Sequence, residues 1–149
     1  MSHTNSPLRR TDRSLPIALL RARETIMGPI RVMLAESHVN EQKWRVLRVL
    51  EERGAMEMTA VAQAACLLLP SLTRIIRAME DEGLVKRNSD PDDKRKSLLS
   101  ISAAGKAVIQ NHSAASNALF SRLQDRFGAD KLETLLDLLE DLRAVKFDP

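Results

Sequence analysis

The sequence predicts a mainly α-helical fold with a small β-wing, a winged helix-turn-helix. In the stretch PSLTRIIRAMEDEGLVKR, residues 70–87, Leu72, Ile75, Ile76 and Met79 recur at i, i+3, i+4 and i+7, the narrow apolar stripe of an amphipathic helix. Ahead of it TAVAQAAC reads as a shorter helix, connected through LLL at 67–69 by a tight turn. Behind it, past Gly83, LVKRN and SLLSIS read as strands on either side of the turn SDPDDKRK. Two short helices, a tight connection and a basic hairpin are the parts of that fold.

The remaining elements follow in order. Residues 1–13 are polar, carry Arg9, Arg10 and Arg13, and are expected to be a mobile arm ahead of one domain over 14–149. Pro16 suits the first turn of a helix whose apolar residues run through LPIALLRARETIM. Gly28-Pro29 predicts a kink or break there, with the helix resuming through Ile30, Val32 and Leu34. Asn40 is placed to cap EQKWRVLRVLEER and Gly54 to end it, while Thr59 is placed to cap the short helix. Ser102 is placed to cap a helix running through Val108, Ala115, Leu119, Leu123 and Phe127 to Gly128. The last helix, KLETLLDLLEDLRAV, holds Leu132, Leu135, Leu136, Leu138, Leu139 and Leu142, more leucine than a single buried stripe uses. Taken alone, that helix fits an intramolecular core.

Composition narrows the function classes. A chain of 149 residues with 44% apolar and 29% charged residues is an ordinary globular domain, and its net charge of +3 permits a polyanionic partner. The lone Cys66 excludes an internal disulfide framework; flanked by Ala64, Ala65 and Leu67, it is expected to be a small buried hydrophobe. His3, His38 and His112 are scattered, and no metal-ligand spacing, Gly-rich phosphate loop or nucleophile with a base is present. The chain is therefore expected to be neither an enzyme nor a cofactor or metal protein. Without an apolar run for a leader or a membrane span, it is expected to be cytoplasmic.

The candidate functional surface is the other face of the 70–81 helix. Opposite the apolar stripe lie Pro70, Arg74 and Arg77, flanked by Ser71, Thr73 and Ala78. Helix N-termini favour phosphate, arginines and hydroxyls bond phosphates and base edges, and small neighbours permit close approach to a groove. The hairpin adds Lys94 and Arg95, and from 70 to 106 eight basic residues face six acidic ones. Each arginine alone also fits a solvated helix face; their conjunction with the hairpin points to double-stranded DNA.

The run MTAVAQAACLLLPSLTRIIRAMEDEGLVKRNSDPDDKRKSLLSISAAG resembles the DNA-binding core of the MarR family, with its acidic-x-x-Gly-Leu helix end and its Asp-x-Arg wing, here Asp93-Lys94-Arg95. LLRARETIMGPIRVMLAESHVNEQKWRVLRVLEERG resembles the first helices of the MarR regulators of homoprotocatechuate (aromatic acid) breakdown. The sequence departs from that pattern in the acidic wing tip Asp90-Pro91-Asp92-Asp93 and in Ile101-Ser102, where Leu-Thr is usual.

The resemblance implies a winged helix-turn-helix over about 55–101 and a homodimer intertwined through helices at about 14–37 and 102–146, on a palindromic operator. It implies that Pro70, Ser71, Thr73, Arg74 and Arg77 face the major groove, and that Lys94 and Arg95 act from the wing, where Asp93 supports Arg95. It also implies repression relieved by a phenolic or aromatic carboxylate held near Arg23, Met27, Trp44 and Arg48, with Leu47 against the ring. Spacing alone leaves Trp44 a core residue and the arginines solvated. Two alternatives stand beside this: an oxidant sensor acting through Cys66, and a dimerisation or interaction domain without an effector.

Overall fold

The computed structural model describes residues 7–148. The first positions of the expected arm, 1–6, lie outside the described residues; 7–10 have no regular structure, and Thr11–Arg13 make one 3-10 turn. The helices α1 (Leu15–Leu34) and α2 (Glu41–Arg53) lead into β1 (Met56–Glu57), α3 (Met58–Ala64) and α4 (Leu69–Asp81). The hairpin β2 (Val85–Ser89) and β3 (Ser97–Ile101) follows, then α5 (Ala103–Phe127) and α6 (Ala129–Arg143). β3 is the middle strand of an antiparallel sheet in the order β1-β3-β2, with Val85 opposite Ile101 and Met56 opposite Leu99.

The sequence expectation differs from the structure at particular places. α1 is one helix through Gly28 and Pro29, not a broken one. A residue before proline is driven from helical angles partly by its own Cβ, and Gly28 has none, while Pro29 lies on the exposed side of the helix. α3 begins at Met58, so Thr59 is inside it and no side chain caps it. The chain enters α3 directly from β1, a two-residue strand with too little periodicity to be legible beforehand. Asn40 caps α2 by accepting from the Lys43 N–H, as expected.

Cys66 is exposed, not buried. It stands just past α3 at φ +55, where the Leu67 N–H reaches the Ala62 carbonyl and the Cys66 N–H reaches that of Gln63. This is a Schellman ending, with cysteine in the left-handed place that usually takes glycine. α4 ends in the same way, with Gly83 at φ +74 in that place and the Leu84 N–H bonded to the Met79 carbonyl.

The core joins Val46, Leu47 and Leu50 of α2, Val61 of α3, Leu72, Ile76 and Met79 of α4, Leu99 of β3 and Ile109 of α5. It fills the lobe between α2 and the sheet. α5 leaves that lobe through a fixed joint. The Ser102 N–H donates to the Leu84 carbonyl (3.0 Å) and its hydroxyl to the Gly83 carbonyl (2.6 Å), while the Gly105 N–H donates to Ser102 Oγ (3.1 Å). Of the leucines singled out on α6, Leu132 is buried, whereas Leu135, Leu136, Leu138, Leu139 and Leu142 are exposed. On α1, Leu15, Leu19, Leu20 and Ile26 are likewise exposed.

Candidate nucleic-acid interface

The apolar stripe of α4 is turned into the core, which fixes what the helix presents to solvent. Pro70, Arg74 and Arg77 are exposed, and Ser71 and Thr73 are half-buried at the margins of that face. The Thr73 hydroxyl donates to the Leu69 carbonyl (3.0 Å), so its proton is committed within the helix and its outer lone pair and methyl remain. Among the described residues, neither Arg74 nor Arg77 pairs with a carboxylate.

The acidic end of the helix is largely neutralised from outside. Arg87 of β2 bonds Glu80 (2.8 Å) and Lys43 of α2 bonds Glu82 (2.5 Å). These are exposed or half-buried contacts, weak in energy; they engage Glu80 and Glu82 but not the exposed Asp81, and Arg74 and Arg77 have no carboxylate partner among the described residues.

The acidic wing tip has a structural explanation as well. Asp90 Oδ1 accepts the Asp92 N–H (2.9 Å), Asp93 Oδ1 accepts the Arg95 N–H (3.1 Å), and the Asp90 N–H donates to the Lys96 carbonyl (2.9 Å). Two carboxylates thus shape the turn by bonding backbone amides. Asp93 Oδ1 also stands 3.5 Å from Arg95 Nε, while the Arg95 side chain is 94% exposed. Lys94 is exposed beside it, and Lys96 pairs with Glu57 of β1 (3.3 Å).

The second group of candidate residues lies where α1, α2 and α5 approach one another. Trp44 is buried, its ring edge-to-face with that of His112 on α5, with centroids 5.9 Å apart. Met27 is half-buried and Arg48 is exposed. Arg23 is paired with Glu41 at the start of α2 (3.1 Å). Arg31 bonds both oxygens of Glu24 at 2.8 Å, which holds the Glu24 carboxyl below its ordinary value, and comes within 3.7 Å of Glu41.

A cavity of about 500 Å³ is lined by Arg31, Leu34, His38, Val39 and Glu41, among others; another of about 640 Å³ between α1 and α5 includes Ile26, Pro29, Leu119, Phe120 and Phe127. Arg23, Met27, Trp44 and Arg48 line neither. Neither Glu41 nor the meeting of His112 with Trp44 is signalled in the sequence; a histidine on one helix carries no sign of the tryptophan it meets on another. Among the described residues, no His, Cys, Asp or Glu cluster is placed to hold a metal ion, and no single helix is long and apolar enough to cross a membrane.

A family signature described as MarR family matches residues 39–97, from two residues ahead of α2 to the first residue of β3. The chain is 36% identical over 132 residues to the homoprotocatechuate degradative operon repressor of Escherichia coli, covering 89% of each protein. It is 30% identical over 140 residues to the HTH-type transcriptional regulator FarR of Neisseria gonorrhoeae, covering 94% of this chain and 96% of that one. Among solved structures, NadR in complex with 4-hydroxyphenylacetate matches with a TM-score of 0.82 at 30% identity, over 95% of this chain and all of the other.

Proposed function

This chain belongs to the MarR family of winged helix-turn-helix, DNA-binding transcriptional regulators, and we propose that it is a homodimeric repressor released from a palindromic operator by an aromatic carboxylate. α4 enters the major groove with Pro70, Ser71, Thr73, Arg74 and Arg77, and Arg95 reaches the flanking minor groove from the wing, oriented by Asp93. The observation that carries this is the division of charge on α4. Glu80 and Glu82 are taken up by Arg87 and Lys43, while Arg74 and Arg77 stand exposed without a carboxylate among the described residues. The test is selection of bound sequences from random DNA, followed by Arg74→Ala and Arg95→Ala. Each is expected to weaken operator binding by about 1–3 kcal/mol without unfolding the protein, and unchanged affinity at matched salt refutes the assignment.

Two-fold assembly is supported by the exposed apolar residues of α1 and α6, a surface a lone subunit leaves in water. The effector is supported by the relatives, one named for homoprotocatechuate breakdown and one solved with 4-hydroxyphenylacetate. In this reading the carboxylate is held by Arg48, exposed one helical turn from Trp44, in preference to Arg23, whose guanidinium already bonds Glu41. Met27 and the Trp44 ring supply apolar surface. The ligand lowers operator affinity by binding better to lobe spacings that misplace the two α4 helices.

Because Trp44 is the sole tryptophan, its fluorescence reports occupancy directly. A panel of hydroxyphenylacetates and catechol acids is titrated against the protein–operator complex, then against Arg48→Ala and Trp44→Ala. Acids that never release DNA at millimolar concentration sink the effector assignment alone. Control by oxidation has one observation in its favour, the exposure of Cys66 in the turn ahead of α4. Operator affinity unchanged by peroxide removes it.

A further inference from the structure

The turn into α4 carries an apolar feature that the groove contacts above leave unexplained. Of the three leucines at 67–69, Leu67 packs against the core, but Leu68 is 77% exposed and Leu69 43% exposed, next to the exposed Pro70. Leu68 is also the N-cap of α4, a position where serine, threonine, asparagine or aspartate would bond the free amides of the first turn, and no side chain caps this helix. A leucine here gives up a cap and leaves its isobutyl group in water. Both departures from local rules fall at the end of the helix that this architecture aims at base edges. A nearby polar reader, Arg74, lies on the same end of the outward face.

In the major groove, the one apolar group a base pair offers is the C5-methyl of thymine. We propose that Leu68 and Leu69 form an apolar contact that reads thymine methyl groups, so that each operator half-site carries a thymine opposite the start of α4. The proposal rests on α4 being the groove-entering helix. It adds a sensitivity to the methyl itself that hydrogen bonds cannot supply, because deoxyuridine presents the same hydrogen-bonding groups as thymidine and lacks only the methyl.

The test uses the full-length protein and an operator selected from random DNA. Each thymidine of the half-sites is replaced in turn by deoxyuridine, and affinity is measured for the parent, Leu68→Ala, Leu69→Ala, Leu68→Ser and Arg74→Ala. One thymine per half-site is expected to show a loss of about 4-fold on methyl removal, about 15-fold when both half-sites are changed, as burial of one methyl group implies. That loss is expected to vanish in at least one leucine variant and to persist in Arg74→Ala. Leu68→Ser separates reading from folding: a restored cap raises thermal stability, while the response to the methyl follows that of Leu68→Ala. No methyl-sensitive thymine overturns the proposal, as does equal sensitivity in the parent and in every leucine variant. Arg74→Ala binding as tightly as the parent overturns the placement of α4 itself, and the proposal with it.

Discussion

Gly105, in the first turn of α5, is where the structure makes the sharpest quantitative demand. A Cβ built on it would stand 2.4 Å from the Leu84 carbonyl oxygen, 2.7 Å from Ile101 Cγ1 and 3.1 Å from Leu47 Cδ2. The nearest atom is backbone, held by the Ser102 N–H at 3.0 Å, so Gly105→Ala cannot be absorbed by a side-chain rotation. Overpacking of this kind costs about 1–3 kcal/mol, and loss of the Ser102–Leu84 hydrogen bond adds about 1 kcal/mol. Alanine's helix preference returns about 0.5–1 kcal/mol. The balance is a destabilisation of about 2 kcal/mol, or about 4–8 °C in Tm for a chain of this size. Thermal and urea unfolding at one fixed protomer concentration measure it, since the stability of the proposed dimer depends on concentration. The same joint carries the lobe proposed to face DNA on α5, so operator affinity is expected to fall as well. An alanine variant as stable as the parent would refute the reasoning, for it would mean that helix preference outweighs the close approach.

The other predictions follow from single positions. Cys66→Gly relieves the left-handed backbone at φ +55 and is expected to stabilise by about 0.5 kcal/mol after the flexibility glycine adds to the unfolded chain, while Gly83→Ala at φ +74 costs about 1 kcal/mol; a lower Tm for Cys66→Gly, or an unchanged one for Gly83→Ala, would contradict the corresponding prediction. Asp93→Ala is expected to leave Tm within about 1 °C, because its contacts are at the surface, yet to weaken operator binding as Arg95→Ala does, and the double variant should lose no more than either single one. Leu138→Glu with Leu142→Glu, both positions exposed on α6, is expected to yield monomers by sedimentation velocity and to abolish binding to a palindrome; an unchanged dimer would show that α6 is not at the interface.

Much of the proposed DNA-facing surface is legible as an exposed helix face because it lies on a single element. The stripe Leu72, Ile75, Ile76, Met79 assigns the buried side of α4 by periodicity, and once that side is known the place of Arg74 and Arg77 follows. The Asn40 and Ser102 caps were legible for the same reason, since each acts within three residues. The exposure of Cys66 is not legible in the sequence, because its apolar neighbours describe composition, whereas its exposure comes from a helix ending in which the Leu67 N–H turns back to the Ala62 carbonyl. α1 continues where a kink or break is expected because the Cβ that Gly28 lacks is the one Pro29 would crowd, a relief that neither residue signals alone.

By itself, the sequence determined the helix faces, the Asn40 and Ser102 caps, the wing and the resemblance that gives the family, all local patterns of a few residues or a few turns. Tertiary structure alone decided which charges meet: Lys43 with Glu82, Arg87 with Glu80, Arg23 with Glu41, and Trp44 with His112 across two helices. It also decided that Leu68 stays in water while Leu67 does not. Hydrogen bonding and periodicity act over a few residues, so they are written in order along the chain; ion pairs, aromatic contacts and exposure depend on which distant segments the closed core brings side by side.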